Sequence, residues 1–392
     1  MRREMTSVTF PRAVVAHSDG SSDRYGPTFS GAAARTSGFD IRAVADDTGR
    51  MPQQVRIGTR ASALALTQTG HVADALADLA DLAVETVRVR TQGDRVRASL
   101  ASLGGTGVFV TALRDALLDG RCDVAVHSLK DLPTGPADGL VVAAVPPRAD
   151  ARDALCARDG LTLATLPAGA RIGTGSPRRA AQLRALRPDV DVVDIRGNVG
   201  TRLGRVRGLD ATTVATGSQV GPDAPHPGVA TDAPRGDLDA VVLAAAGLGR
   251  LGRLDAVTEW FAPDVLAPAP GQGALAVEVR TADAAADTPL AHALRALDDP
   301  PTRRAVVAER AVLARLEAGC AAPVGAWGRV DDATGALALD AVVAAVDGSR
   351  VLRLAARGAA DDDAAADALG RQLAEDLLAA GADRLAPLGP TR

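Results

Sequence analysis

"VRIGTRASALALTQTGHVADALADLADLAVETVRVRT", residues 55–91, is the stretch from which the fold is read. Its opening, "VRIGT", alternates apolar and polar side chains and stops at Gly58-Thr59, as a short strand does. In "ASALALTQTGHVADALADL" the apolar residues then recur at three- and four-residue spacing, the period of an amphipathic helix. "VETVRVRT" returns to alternation with β-branched residues and predicts the next strand. Strand, helix and strand in this order make a parallel βαβ unit, and the same alternation continues to about residue 280, which predicts parallel α/β sheets.

A faint repeat divides this region in two. "RIGT" occurs at 56 and again at 171, and "DVAV" at 123 is echoed by "DAVV" at 239. Pro/Gly-rich joints at "PPRADARD" (146–153) and "APAPGQG" (267–273) read as crossings between two halves. The expected organisation is therefore a first domain from 54–148 with 273–292 and a second from 149–272. Residues 210–236, rich in turn formers, are expected to be a surface insertion in the second. A smaller third α/β unit is expected over 295–392, with a helix at 302–318, strands near 323–330, 336–347 and 350–357, and a helix at 362–380. Residues 1–53 carry Ser, Gly, Asp and Arg without helical or strand periodicity and are expected to be a disordered extension. Their Arg and Ser content suits an organelle transit peptide, but the several Asp residues argue against one.

The chain has 392 residues, 47% hydrophobic and only 2% aromatic, enough for two or three aliphatic cores. A formal charge of -4 supplies no general basic field, so nucleic acid is not an expected partner and any anion site must be local. Cys122, Cys156 and Cys320 are an odd, widely spaced set without metal-ligand spacing, which suits thiols in a reducing compartment. No apolar run approaches the roughly 18 residues needed to span a bilayer, and no secretory signal opens the chain. The expected protein is cytoplasmic, monomeric, and without membrane or metal.

The chemistry collects where strands end. "GTGSPRRAAQL" (173–183) runs from a strand through Gly173, Gly175 and Ser176 into a helix whose first turn holds Pro177, Arg178 and Arg179. Free amides and two guanidinium groups at a helix start suit a carboxylate or phosphate. Arg196 and Arg202 follow in "RGNVGTR", Arg60 and Ser62 stand at the matching turn of the first half, and Arg250 lies in "GLGRLG". One such arginine is more often a solvated surface charge. Several at equivalent strand-to-helix turns point to a polyanionic ligand.

"HSLKDLPT" (127–134) contains Lys130, the single lysine of the chain, and beside it Asp131. An Asp in a loop is usually a cap or turn residue. In an arginine-lined cleft, however, a carboxylate repels an anionic substrate unless that substrate also carries or develops positive charge. Cys320, in "LEAGCAAPVG", sits on a tight loop between a helix and a strand, where the residue alone reads as a small buried hydrophobe.

Six motifs in order, "HSLKDLPT", "GTGSPRRAAQL", "DIRGNVGTRL", "LAAAGLGRLG", "APGQGALAVE" and "ERAVLARLEAGCAAPVG", resemble the hydroxymethylbilane synthase (porphobilinogen deaminase) family over about residues 54–392. The resemblance implies two periplasmic-binding-protein-like domains and a smaller α/β C-terminal domain. It implies a dipyrromethane cofactor held as a thioether on Cys320. The implied reaction joins four porphobilinogen molecules head to tail with loss of ammonia, then releases the linear tetrapyrrole by hydrolysis. The substrate's acetate and propionate groups call for arginines, while its deaminated azafulvenium form calls for a carboxylate. By resemblance Asp131 is catalytic, Lys130, Ser176, Arg178, Arg179 and Arg202 hold the cofactor, and Arg60, Ser62, Arg196 and Arg250 hold substrate. A compact ammonium at Lys130 can meet a carboxylate where a planar guanidinium does not fit.

One segment departs from the family. "ASLGGTG" (101–107) has Ser102 and Thr106 where family members commonly carry lysines beside the Gly-Gly pair, so either Arg95 and Arg97 replace them or the loop is less engaged. Two other classes remain open on the residues alone. A two-lobed anion-binding or sensor protein would use the arginines but would need neither Cys320 nor Asp131. A phosphate-ester enzyme built on "GTGSPRR" would lack a P-loop lysine or a metal cluster.

Overall fold

The computed structural model describes residues 52–89, 107–209, 236–319, 322–331, 333–386 and 388. The extension up to residue 51, Arg95, Arg97, Ser102, Thr106, residues 210–235 and Cys320 lie outside the described residues.

The first lobe begins with β1 (Gln53–Thr59), α1 (Ala63–Leu79), β2 (Leu82–Arg88), α2 (Gly107–Leu118), β3 (Val124–Ser128) and β4 (Leu140–Ala144). The chain crosses to β5 (Asp153–Ala157), β6 (Arg171–Gly173), α3 (Pro177–Leu186), β7 (Asp191–Val193), α4 (Val199–Leu203), β8 (Ala240–Ala244), α5 (Ala245–Arg250) and β9 (Glu259–Trp260). It returns as β10 (Leu275–Arg280), α6 (Thr281–Ala285) and α7 (Pro289–Leu297). The last unit is α8 (Pro300–Arg315), β11 (Val324–Val330), β12 (Ala336–Ala344), β13 (Val351–Ala359) and α9 (Asp363–Ala379). No helix of the described residues is long and apolar enough to cross a membrane.

The two large sheets are wired alike. The first runs β2-β1-β3-β10-β4 and the second β7-β6-β8-β5-β9. In each, the first three strands are parallel, and the fourth, adjoining a crossing, runs antiparallel to both neighbours. This shared order is the two-lobed, periplasmic-binding-protein-like arrangement implied by the motifs, with the smaller α/β unit following. The strands differ from the expected ones mainly at their ends: β1 starts at Gln53, and the second strand starts at Leu82, two residues before the alternation in "VETVRVRT" begins.

Local chemistry explains the elements. Ser62 caps α1, its hydroxyl accepting from the Ala65 amide at 3.3 Å. The helix buries Gln68, Thr69, Val72 and Leu76, and the last two join Val55, Ile57, Val124 and Val277 in the first lobe's core. Each fully buried aliphatic side chain contributes about 1.5–3 kcal/mol. In the third unit, alternate residues Leu337, Leu339, Ala341 and Val343 of β12 pack with Val312 of α8 and Leu373 and Leu377 of α9. Helix α8 also serves the first lobe: Val306 packs with Leu129, Leu132, Val145, Ala274 and Ala276.

The two crossings touch. Ala149 donates its amide to Gly273 O at 3.3 Å, and Gly273 has φ +88. A Cβ there would lie 2.4 Å from Ala149 O, so both the conformation and the contact require glycine. From α8, the buried Glu309 carboxylate receives Arg148 Nη1 at 2.6 Å and Nη2 at 3.0 Å, the Gly271 amide at 2.6 Å and the Gly328 amide at 2.7 Å. One carboxylate thus binds both crossings to β11.

Candidate active site

Strand β3 is apolar and buried, and it ends at Ser128, whose hydroxyl receives Gln68 Nε2 at 3.0 Å. A single 3-10 turn, Leu129–Asp131, follows. Asp131 therefore stands on a tight turn beyond the strand. Leu129 and Leu132 point into the core, which leaves Lys130 half-buried and Asp131 exposed. Pro133 keeps Leu132 extended (φ -83, ψ 129) and stops the turn from continuing.

In the second lobe, Gly175 passes Ile195 O so closely that a Cβ would come within 2.5 Å of it. Ser176 is the N-cap of α3, its side chain making no capping hydrogen bond, and Pro177 opens the helix. Arg178 and Arg179, in the first turn of this helix, are only 3% and 5% exposed, because Asp153 at the head of β5 meets them from the first crossing. Asp153 pairs with Arg178 Nη1 at 2.8 Å and with Arg179 Nη2 at 2.7 Å. Arg178 Nη1 also donates to Ala267 O, and Arg179 Nη1 to Val242 O at 3.0 Å.

Gln272, wholly buried on the second crossing, joins the lobes. Its Nε2 donates to Asp153 Oδ1 at 2.7 Å and Ala151 O at 2.8 Å. Its Oε1 accepts from Lys130 Nζ at 3.4 Å and Arg179 Nη2 at 3.5 Å. Lys130 and Asp131 of the first lobe thereby come against the arginine pair of the second.

Burial alone would raise the Asp153 carboxyl, but the Arg178 and Arg179 guanidiniums outweigh it and hold the group well below the usual carboxylate range. Lys130 is pushed down to about 8, first by burial and then by Arg179 and Arg178, with Asp131 and Asp153 opposing. Arg202 is lowered by burial and by Arg179, with Asp194 and Asp131 acting the other way, so it shares the same field. Its Nε donates to Gly197 O at 2.8 Å.

The remaining candidates lie around this cluster. Arg250, lowered by burial to about 10, donates to Gly273 O at 2.7 Å beside Gln272. Arg60 is half-buried just past β1, two residues before Ser62 at the start of α1. Arg196 is exposed, with Asp194 at 3.7 Å as its nearest carboxylate.

The cluster fits a bound polycarboxylate such as the dipyrromethane. Two guanidiniums pair with one buried carboxylate, and Gln272 links the Lys130 ammonium to the same group, which leaves an excess of positive charge. The Arg178 and Arg179 Nε atoms are buried with no hydrogen-bond partner among the described residues. Incoming carboxylates would satisfy both deficits. Asp153 and Gln272 escaped the sequence reading. The available signals were an acid heading the otherwise apolar "DALCA" and an amide between two glycines at a crossing.

The family model described as porphobilinogen deaminase, dipyromethane cofactor binding domain, matches residues 55–218 and 230–288. The model for the porphobilinogen deaminase C-terminal domain matches 303–379. The chain is 55% identical to porphobilinogen deaminase of Leifsonia xyli over 340 residues, covering 85% of this chain and 94% of that protein. It is 54% identical to that of Micrococcus luteus over 365 residues, covering 84% and 94%. It is 53% identical to that of Cutibacterium acnes over 350 residues, covering 86% and 99%. With both family models laid in sequence along both lobes and the third unit, and more than half of all aligned residues shared with these relatives, the chain belongs to the porphobilinogen deaminase family.

Proposed function

We propose that this protein is a hydroxymethylbilane synthase, joining four porphobilinogen molecules into a linear tetrapyrrole on a dipyrromethane primer carried by Cys320. The observation that carries the reading is a site of both signs. The buried Arg178-Asp153-Arg179 group keeps two Nε–H donors without partners among the described residues, while the exposed Asp131 carboxylate stands next to Lys130, itself joined to the group through Gln272.

In this reading, Arg178, Arg179, Arg202, Lys130 and Ser176 hold the carboxylates of the primer, and Arg60, Ser62, Arg196 and Arg250 hold those of the substrate. When bound, the dipyrromethane supplies the nucleophilic pyrrole carbon on which the chain starts. Asp131 faces the substrate. As the aminomethyl C–N bond breaks and ammonia leaves, its carboxylate stabilises the azafulvenium cation. As the new C–C bond forms, the same carboxylate assists removal of the proton from the attacking pyrrole carbon, which restores that ring's aromaticity. Cys320 offers the soft sulfur that a thioether requires. The enzyme would work as a monomer in the cytoplasm.

The test is to prepare wild type, Asp131→Asn and Cys320→Ser in a porphobilinogen-making host and measure intact mass and tetrapyrrole formation. Wild type should exceed its sequence mass by two linked pyrrole units, and Cys320→Ser should lose that excess. Asp131→Asn, reconstituted with preformed tetrapyrrole, should retain the added mass but form product slower by about a hundredfold or more. An unmodified, fully active wild type, or an Asn variant as fast as wild type, defeats the reading.

A further inference from the structure

Arg310 belongs to α8 of the third unit, yet its guanidinium reaches the turn that carries Asp131. Its Nη1 donates to Leu129 O at 3.3 Å and Leu132 O at 2.9 Å, and its Nη2 to Pro133 O at 2.6 Å. These three carbonyls bracket Asp131, one two residues before it and two directly after. The turn cannot continue past Leu132 because of Pro133, and neither Leu132 O nor Pro133 O accepts a backbone amide among the described residues. The backbone leaving Asp131 is therefore held by a side chain from another unit, 177–181 residues away in sequence.

The surroundings suit a fixed grip. Four residues before Arg310 on the same helix, Val306 is buried against Leu129 and Leu132, so apolar packing and the guanidinium hold one short segment together. The next residue back, Glu309, is anchored to both crossings. A planar fork with donors at fixed separation can span three carbonyls, whereas an ammonium presents its donors from one point.

We propose that Arg310 is a positioning residue for the reaction: by gripping the carbonyls on either side of Asp131 it fixes the turn, and with it the direction in which the carboxylate meets the substrate. This rests on Asp131 being the catalytic carboxylate. Arg310 touches neither substrate nor cofactor in this role and acts through Asp131 alone.

The experiment is a double-mutant cycle. Arg310→Met and Arg310→Lys are made in the wild-type and Asp131→Asn backgrounds, all reconstituted with preformed tetrapyrrole and checked by intact mass and thermal unfolding. In the wild-type background Arg310→Met should lower kcat by about ten- to a hundredfold while KM for porphobilinogen changes by less than about threefold. Arg310→Lys should recover part of the loss. In the Asp131→Asn background the same replacements should cost less than about twofold, because the group they position is gone. An unchanged kcat, or an equal fold-loss in both backgrounds, overturns the proposal and marks Arg310 as an ordinary structural residue. If Arg310→Met does not fold, the Lys variant in the two backgrounds decides by the same criterion. Asp131→Asn alone reports on the reading beneath: a rate equal to wild type removes the catalytic carboxylate, and the positioning role with it, whatever the Arg310 variants do.

Discussion

Replacing Asp153 by asparagine alters one charge and almost no volume, at a point where the charge balances two buried guanidiniums. Asp153 is wholly buried, pairs with the Arg178 guanidinium at 2.8 Å, and accepts from Arg179 Nη2 at 2.7 Å and Gln272 Nε2 at 2.7 Å. Every neighbour on its oxygens is a donor, so an Asn amide must turn its NH2 toward one of them. Removing one partner of a buried ion pair typically costs about 3–5 kcal/mol. In a domain of this size each kcal/mol lowers Tm by about 2–4 °C, so a fall of roughly 6–20 °C is expected. The measurement belongs in the Cys320→Ser background, where no thioether-linked primer complicates the comparison. Citrate should recover more of the loss in Asp153→Asn than it adds to its parent, because its carboxylates can occupy the uncompensated site. The pH dependence has a definite sign. The Asp153 carboxyl is depressed in the fold, so its contribution is complete above the unfolded-state value near 3.9 and falls away in stronger acid, where the two proteins should converge. A Tm within about 2 °C of the parent at neutral pH would refute the reasoning.

Lys130 gives a prediction of opposite pH sense. Its folded value of about 8 lies below the unfolded 10.5, so between these limits the unfolded chain holds more protons and stability should rise with pH, by on the order of 3 kcal/mol in all. Denaturant titrations of wild type and Lys130→Met in the ligand-free state should show their difference changing through that window; a constant difference rejects the assignment. Arg178→Leu and Arg179→Leu should each reduce holoenzyme yield or chain growth, one lost charge-assisted contact being worth roughly 1.5–3 kcal/mol. Normal cofactor mass and normal turnover in both variants would exclude that role.

What the sequence made legible was what repeats locally. Alternation in 55–59 and the spacing of Val72 and Leu76 gave β1 and α1, and the echo of "RIGT" at 171 marked the second lobe, because period and turn chemistry act over a few residues. Asp131, Lys130 and the Arg178-Arg179 pair were visible as motif residues. Their partners were not. Asp153 meets Arg179 across 26 positions, Gln272 meets Lys130 across 142, and Arg310 meets Leu132 across 178. No periodicity encodes such pairings, which arise when the crossings and α8 fold over the lobes. The burial of the Arg178-Arg179 pair, with one charge already balanced by Asp153, is one product of that folding.

The Glu309 carboxylate, tied to Arg148 on one crossing and Gly271 on the other, gives the two passages between the lobes the geometry of an axle. Two bodies joined at such a line can swing but cannot slide. Displacement then grows with distance from the axle: a small rotation opens the rim widely while the vicinity of the axle hardly moves. The turn bearing Asp131 is close to that line, since Gly271 lies against Leu129 and Lys130. In the reaction proposed above, such a rotation would leave the Asp131 carboxylate in place and would supply the room for a lengthening tetrapyrrole at the rim.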